Sequence, residues 1–201
     1  MNNSGLPTIT IELILDRQTA KDVLKGMLHA IFFHRLFGPI KPQTFEVLDV
    51  TIPAVSDQET EQLVDEKVDA FWKGLEGGFS KRGQATCNYS GNKPKKNWFS
   101  IGEEEVPWEQ WVINAELRQP KTEKGELPIT LTRALSNLFY YSDREKARSA
   151  LASTLTKAIH TMITHTSSEK GRAAVPPITD ANTISPFPFK IIVKVDNVEV
   201  G

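Results

Sequence analysis

Cys87 is the single cysteine of the chain, so it is the one side chain able to act as a thiolate nucleophile. That chemistry needs a nearby base or a positive field to lower the thiol pKa. Cys87 stands between Thr86 and Asn88 in an alternating stretch, which turns it inward. A ubiquitin-like conjugating enzyme using Cys87 is the alternative it would serve, yet no His-Pro-Asn neighbour accompanies it. The histidines fall into two pairs, His29/His34 and His160/His165. A spacing of five puts the members of each pair on different helix faces, whereas zinc-binding pairs sit at i,i+4. With no H-E-x-x-H and no cysteine set, neither a metal nor a cofactor is expected. The G-L-E-G-G-F string at 74–79 lies at a helix end and does not meet the phosphate-loop pattern. Glu103, Glu104 and Glu105 read as a solvated acidic run. Lys93, Lys95 and Lys96 form a short basic cluster beside that run, so nucleic acid is not an expected partner. No set of residues assembles an active site, and a non-enzymatic protein is expected.

The residues fit binding better. In K-P-K-K-N-W-F-S-I-G-E-E-E-V-P-W-E-Q-W, Trp98 and Phe99 stand side by side between the lysines and the glutamates. Pro94 and Gly102 punctuate the stretch, so it reads as a loop. The charges draw it toward water. An aromatic pair carried there would leave apolar surface uncovered, a mark of a docking site, and Trp often dominates interface energetics. The local sequence equally allows the pair to fold back onto the protein's own core.

The surrounding elements must hold this loop. Residues 8–15 alternate, with Ile9, Ile11 and Leu13 on one strand face. A helix from about Asp16 or Thr19 carries Val23, Leu24, Met27, Leu28, Ile31 and Phe32 as one stripe, and Gly38-Pro39 stops it. Gly26 within it is a candidate point of close packing. Residues 45–52 read as one strand. Ser56 and Glu59 have capping-box spacing before a helix with Val64, Val68, Phe71, Trp72 and Leu75 inward. Strands follow around 84–90, with Ala85, Cys87 and Tyr89 on one face, and from Trp111 through Leu117.

Within residues 119–142, Q-P-K-T-E-K-G-E-L-P reads as a polar loop, and the I-T-L-T-R-A-L-S-N-L-F-Y-Y that follows allows either a short amphipathic helix or a loop packed by its own aromatics. Ser142-x-x-Glu145 then reads as a second capping box. It would open the longest helix, to about Thr166, with Ala147, Leu151, Leu155, Ile159 and Met162 inward. A terminal β segment alternates Phe187, Phe189, Ile191, Val193 and Val195, and Asp196-Asn197 can turn it into a last short strand. The strands alternate in and out instead of being continuously apolar. That favours a single α+β domain with helices on one face of an antiparallel sheet.

The chain of 201 residues is long enough to bury a real core. Its net charge of −1 gives no global field for nucleic acid or a membrane surface. No apolar run reaches the length of a membrane span, and the start M-N-N-S-G-L-P has no secretory-signal pattern.

Four strings resemble the autophagy-related protein 101 family, the small HORMA-domain subunit of the autophagy-initiation kinase complex. R-Q-T-A-K-D-V-L-K-G-M-L-H-A-I-F-F-H-R, ending at His29, His34 and Arg35, resembles the family's first helix. V-S-D-Q-E-T-E-Q-L-V-D-E-K-V-D-A-F resembles its second. K-K-N-W-F-S-I-G-E-E-E-V-P-W-E-Q-W resembles its Trp-Phe finger and the P-W-E-x-W strand start, and P-F-K-I-I-V-K-V its closing sheet.

The resemblance implies one HORMA domain over 1–201, with a finger at about 91–107 and a variable insertion at about 119–142. It implies a cytoplasmic adaptor at the phagophore assembly site. That adaptor pairs with the HORMA domain of autophagy-related protein 13, protects it, and recruits downstream factors through exposed Trp98 and Phe99. HORMA dimers pair through the third helix, whose outward face here would carry Arg144, Arg148, Ala152 and Thr156. Trp108 and Trp111 read as core anchors. The family pattern has a proline between the finger aromatics, whereas Trp98 and Phe99 are adjacent. The longer 119–142 stretch suggests a fungal-type member.

Overall fold

The computed structural model describes the backbone of residues 5–77, 81–97, 100–118, 132–179 and 182–201, with side chains except in 93–97, 100–103 and 132–144. Strand β1 (Thr8–Leu15) leads to helix α1 (Ala20–Arg35). Asp16 shapes the entry: its carboxylate accepts from the Thr19 backbone N–H at 2.8 Å. A β-hairpin, β2 (Pro42–Val47) and β3 (Val50–Val55), stands where one strand was expected. Its turn is carried by Leu48 (φ 54°) and Asp49 (φ 61°). Leu48 is not a residue type that favours this backbone, so the left-handed turn leaves little sequence signal. Gly26 is the close contact on α1: a Cβ there would sit 2.8 Å from Ile52 Cδ1 of β3.

Helix α2 (Gln58–Gly77) is capped by Asp57 in place of Ser56. The Asp57 carboxylate takes the Thr60 N–H at 2.9 Å and its hydroxyl at 2.7 Å. Asp caps as well as Ser, so the capping-box reading was one residue off. Val64, Val68, Phe71 and Leu75 are buried, and Trp72 packs half-buried against the core.

Two long strands follow, β4 (Arg82–Asn97) and β5 (Ser100–Leu117), then α3 (Thr132–Ser167), the short α4 (Glu169–Ala173), β6 (Phe189–Val195) and β7 (Val198–Glu199). The β6–β7 turn at Asp196 (φ 52°) and Asn197 (φ 64°) is the one expected. Helix α3 begins ten residues before Ser142 and runs through it, so Ser142 is not its cap. The short S-x-x-E match was a false positive. Residues 145–150 are exposed on every side, Ala147 included, which corrects its inward assignment; from 145 onward the first buried side chain is Leu151.

The main sheet has the order β1-β5-β4-β6-β7. All its pairs are antiparallel except β1 with β5, which is parallel, so the sheet is mixed. The alternation in β1 could not reveal this. One sheet face is open to water, and under that condition a parallel edge strand alternates as an antiparallel one does. Ile9, Ile11 and Leu13 line up in register with Trp111, Ile113 and Ala115, then Cys87, Ala85 and Gly83, then Ile191, Val193 and Val195. These rows form the buried face. Helix α3 packs beside β1 and α2 beside β4 and β6; α1 touches both helices. At Gly83 a Cβ would lie 2.4 Å from the Phe71 ring, so the missing side chain is what lets α2 seat.

Candidate docking site

The stretch read as a loop is paired strand. Asn92 faces Glu105, Lys93 faces Glu104, and pairing continues to Asn97 opposite Ser100. Just two residues, Trp98 and Phe99, stand between those paired ends; both lie outside the described residues. In this register Lys93 stands directly opposite Glu104, while Lys95 and Lys96 stand opposite Gly102 and Ile101, and an opposite-charge pair directly across an antiparallel ladder is favourable. In a two-stranded ribbon each strand has a free edge, where Pro94 removes no ladder bond if its nitrogen points outward. Those two effects override the proline and glycine signals.

The ribbon leaves the main sheet at a defined point. Strand β1 meets β5 no further than Gln110, and β6 meets β4 no further than Tyr89. Beyond them, β4 and β5 pair only with each other for eight pairs, Ser90–Pro107 to Asn97–Ser100, with the Ser90 N–H still donating to the Pro188 carbonyl at 2.9 Å at the root. At about 3.4 Å per residue this ribbon is roughly 25 Å long. At its base Tyr89 faces Glu109 while Ser90 faces Pro107, so Trp108 is an extra, bulged residue. The bulge explains why Trp108 and Glu109, neighbours in sequence, are both buried. In a regular strand they would face opposite sides.

Trp108 packs against Tyr89 (ring centroids 5.6 Å apart) and Phe187 (5.4 Å). Gly91 leaves room for Pro176: a Cβ would lie 3.3 Å from its Cγ. Glu109 is fully buried and receives three donors. Arg35, in the last turn of α1, binds it bidentately through Nε and through Nη2, the latter at 2.9 Å. His165, in the last turn of α3, lies with Nε2 2.6 Å from Glu109 Oε1. A carboxylate only accepts, so Nε2 carries the proton in that bond. The Arg35 guanidinium carbon stands 5.9 Å from the Trp108 ring and 5.8 Å from the Trp111 ring, within cation–π range. Trp111 meets the His165 ring edge-on at 5.5 Å. Trp108 and Trp111 are thus core anchors, as their positions in the strand implied.

Sequence reasoning missed the Arg35–Glu109–His165 cluster. Its members are 74 and 56 residues apart and meet only through the fold. The available signal was an ionisable residue between two tryptophans in P-W-E-Q-W, a place where a solvated carboxylate does not belong.

Other residues considered for chemistry are spread through the molecule. Cys87 is fully buried and burial pushes its thiol up to about 12. A thiol so placed is not a nucleophile at neutral pH. His29 is buried against Phe45, and both His29 and His34 are held below the ordinary imidazole range, mainly by burial. Among the described residues no group of three or more His, Cys, Asp or Glu is placed to hold a metal ion. No described helix is long and apolar enough to cross a membrane.

On α3, Arg148 is exposed and its guanidinium meets Asp49 of the β2–β3 turn at 3.0 Å. Thr156 is exposed, with its hydroxyl donating to the Ala152 carbonyl at 2.9 Å. Ala152 is half-buried against the core. The Arg144 side chain lies outside the described residues. Arg148 and Thr156 therefore share an accessible side of the helix, with Ala152 at its margin.

Comparison with known proteins places these features in a family context. A family model described as Autophagy-related protein 101 matches residues 12–182. The chain is 30% identical over 131 residues to autophagy-related protein 101 of Schizosaccharomyces pombe, covering 65% of this chain and 71% of that protein. It is 33% identical over 112 residues to autophagy-related protein 101 of Arabidopsis thaliana, covering 54% of this chain and 52% of the plant protein.

Proposed function

Because this chain belongs to the autophagy-related protein 101 family and so has an autophagy-related role, we propose that it works as a non-enzymatic adaptor of autophagy initiation. In this reading residues 1–201 are one HORMA domain. The domain pairs with, and stabilises, the HORMA domain of autophagy-related protein 13 within the initiation kinase complex. The pairing uses the accessible side of α3 around Arg144, Arg148, Ala152 and Thr156. Trp98 and Phe99 at the end of the ribbon recruit downstream autophagy factors, and the protein acts in the cytoplasm at the phagophore assembly site.

The observation that carries the reading is the ribbon. Eight strand pairs continue beyond the bulge, and two adjacent aromatic residues connect their ends in the sequence. Burying apolar surface is what stabilises a fold, and a large aromatic left beyond it is surface for a partner. The buried Cys87 supports the non-enzymatic half of the reading, because the conjugating-enzyme alternative requires an accessible thiolate.

The test is light scattering after size exclusion on this chain with the protein 13 HORMA domain of the same organism, for the parent and for Trp98→Ala plus Phe99→Ala. A one-to-one complex with both chains, and loss of downstream recruitment in the variant alone, is the expected result. The variant should lose less than about 1 kcal/mol of stability, against roughly 3–5 kcal/mol for a buried aromatic. Absence of the complex, or a loss in the larger range, refutes the pairing or the tip assignment respectively.

A further inference from the structure

An isolated two-stranded ribbon is marginal in water. Its direction must therefore be fixed at its base, and the base is where the fold places its buried ionic cluster. Glu109 lies directly after the bulged Trp108 and opposite Tyr89, at the last position before the ribbon leaves the sheet. The Arg35 and Glu109 side chains are only 3% and 0% exposed. Each group bonding Glu109 comes from the end of a different helix: Arg35 from α1 and His165 from α3.

We propose that the Arg35–Glu109–His165 cluster is the clamp that sets the direction of the β4–β5 ribbon, with Arg35 and His165 as positioning residues for its tip. A bidentate guanidinium–carboxylate pair has a fixed plane and fixed angles, which apolar packing lacks. Arg35 sets Glu109 relative to α1, and His165 ties the same carboxylate to the end of α3. The bulge converts that fixed point into a fixed exit angle for the paired strands, 90–97 and 100–107. A buried charge is a poor source of stability, because apolar residues of similar volume can match it; its distinctive contribution is geometric specificity. The clamp also joins the end of α3 to the root of the ribbon, so a change at one is felt at the other. Its consequence for recruitment rests on the reading of Trp98 and Phe99 as a docking tip.

The experiment measures ribbon direction without any partner. Spin labels are placed at Lys95→Cys in the ribbon and Lys73→Cys on α2 of the full chain. Buried Cys87 remains unlabelled. Double electron–electron resonance then gives the distance distribution, with thermal melting as the control for folding. The parent should give one narrow peak. Arg35→Met plus Glu109→Met, which keeps volume and removes the charges, should melt close to the parent and lose that narrow peak. His165→Gln, altering one partly exposed partner, should broaden it to a lesser degree.

A narrow parent-like peak in the folded double variant overturns the proposal, and so does a broad distribution in the parent. If the double variant does not fold, His165→Gln decides in the same way: a broadened peak supports the clamp and a parent-like one refutes it. Neither label nor readout involves Trp98, Phe99 or a partner. Failure of the docking reading therefore appears only in the recruitment assay, and failure of the clamp only in the distances.

Discussion

Arg35→Met on its own should be among the most damaging single changes in the chain. It removes both bonds from the Arg35 guanidinium to Glu109 and leaves a carboxylate with no exposed surface held by His165 alone. It also withdraws the cation from between the Trp108 and Trp111 rings. Breaking a buried pair from one side costs about 3–5 kcal/mol, chiefly because the remaining charge stays desolvated. The bond from His165 keeps the expectation toward the lower end. Against a typical total stability of about 5–15 kcal/mol, that is a large fraction. Urea unfolding should show the midpoint falling by roughly 1–2 M at constant slope. The decisive comparison is the cycle with Glu109→Met. The double methionine variant should recover most of the loss and lie within about 1–2 kcal/mol of the parent. A single variant losing under about 1 kcal/mol would mean that water or another cation reaches Glu109. A double variant as weak as the single would mean that packing, not the unpaired charge, is the source of the loss.

Three further outcomes follow from named contacts. Gly83→Ala should destabilise by about 1–3 kcal/mol, read by thermal melting, since its Cβ would lie 2.4 Å from the Phe71 ring and 3.1 Å from the Lys194 carbonyl. Cys87 in the native chain should resist thiol reagents at neutral pH and react on unfolding, and Cys87→Ser should cost about 1–3 kcal/mol by burying a hydroxyl without an assured partner. Stability should fall as the pH drops below about 6.5, the ordinary imidazole value, because the fold holds His29 and His34 below it. The folded chain then binds fewer protons than the unfolded one, so the contribution is complete above that pH and is lost on acidification. Urea midpoints between pH 7.5 and 5.5 check the sign, and removal of the dependence by His29→Gln plus His34→Gln checks the assignment.

The amphipathic elements were legible because their periodicity is a local consequence of burying one face. The stripe from Val23 to Phe32, the alternation from Trp111 to Leu117, and the closing Phe189–Val195 strand with its Asp196-Asn197 turn all fall where the pattern put them. The inward position of Cys87 was legible for the same reason. The start of α2 was legible to within a residue, because Ser56 and Asp57 are chemically equivalent caps and geometry chose between them, whereas the Ser142 signal lies inside α3 and marks no helix start.

Three features belonged to the tertiary structure. The hairpin turn at Leu48-Asp49 puts a leucine in the left-handed backbone region, where Asp196-Asn197 has two residue types that favour it, so little local signal announced it. The ribbon exists because the Lys93 side of the chain finds the Glu104 side across a pairing that neither segment encodes alone. The meeting of Arg35, Glu109 and His165 depends on where two helices end over one strand. Sequence by itself determined which residues seek water and which avoid it, because that preference belongs to each side chain. Only the fold decided which charge could be buried, because burial requires partners and partners are brought together by packing.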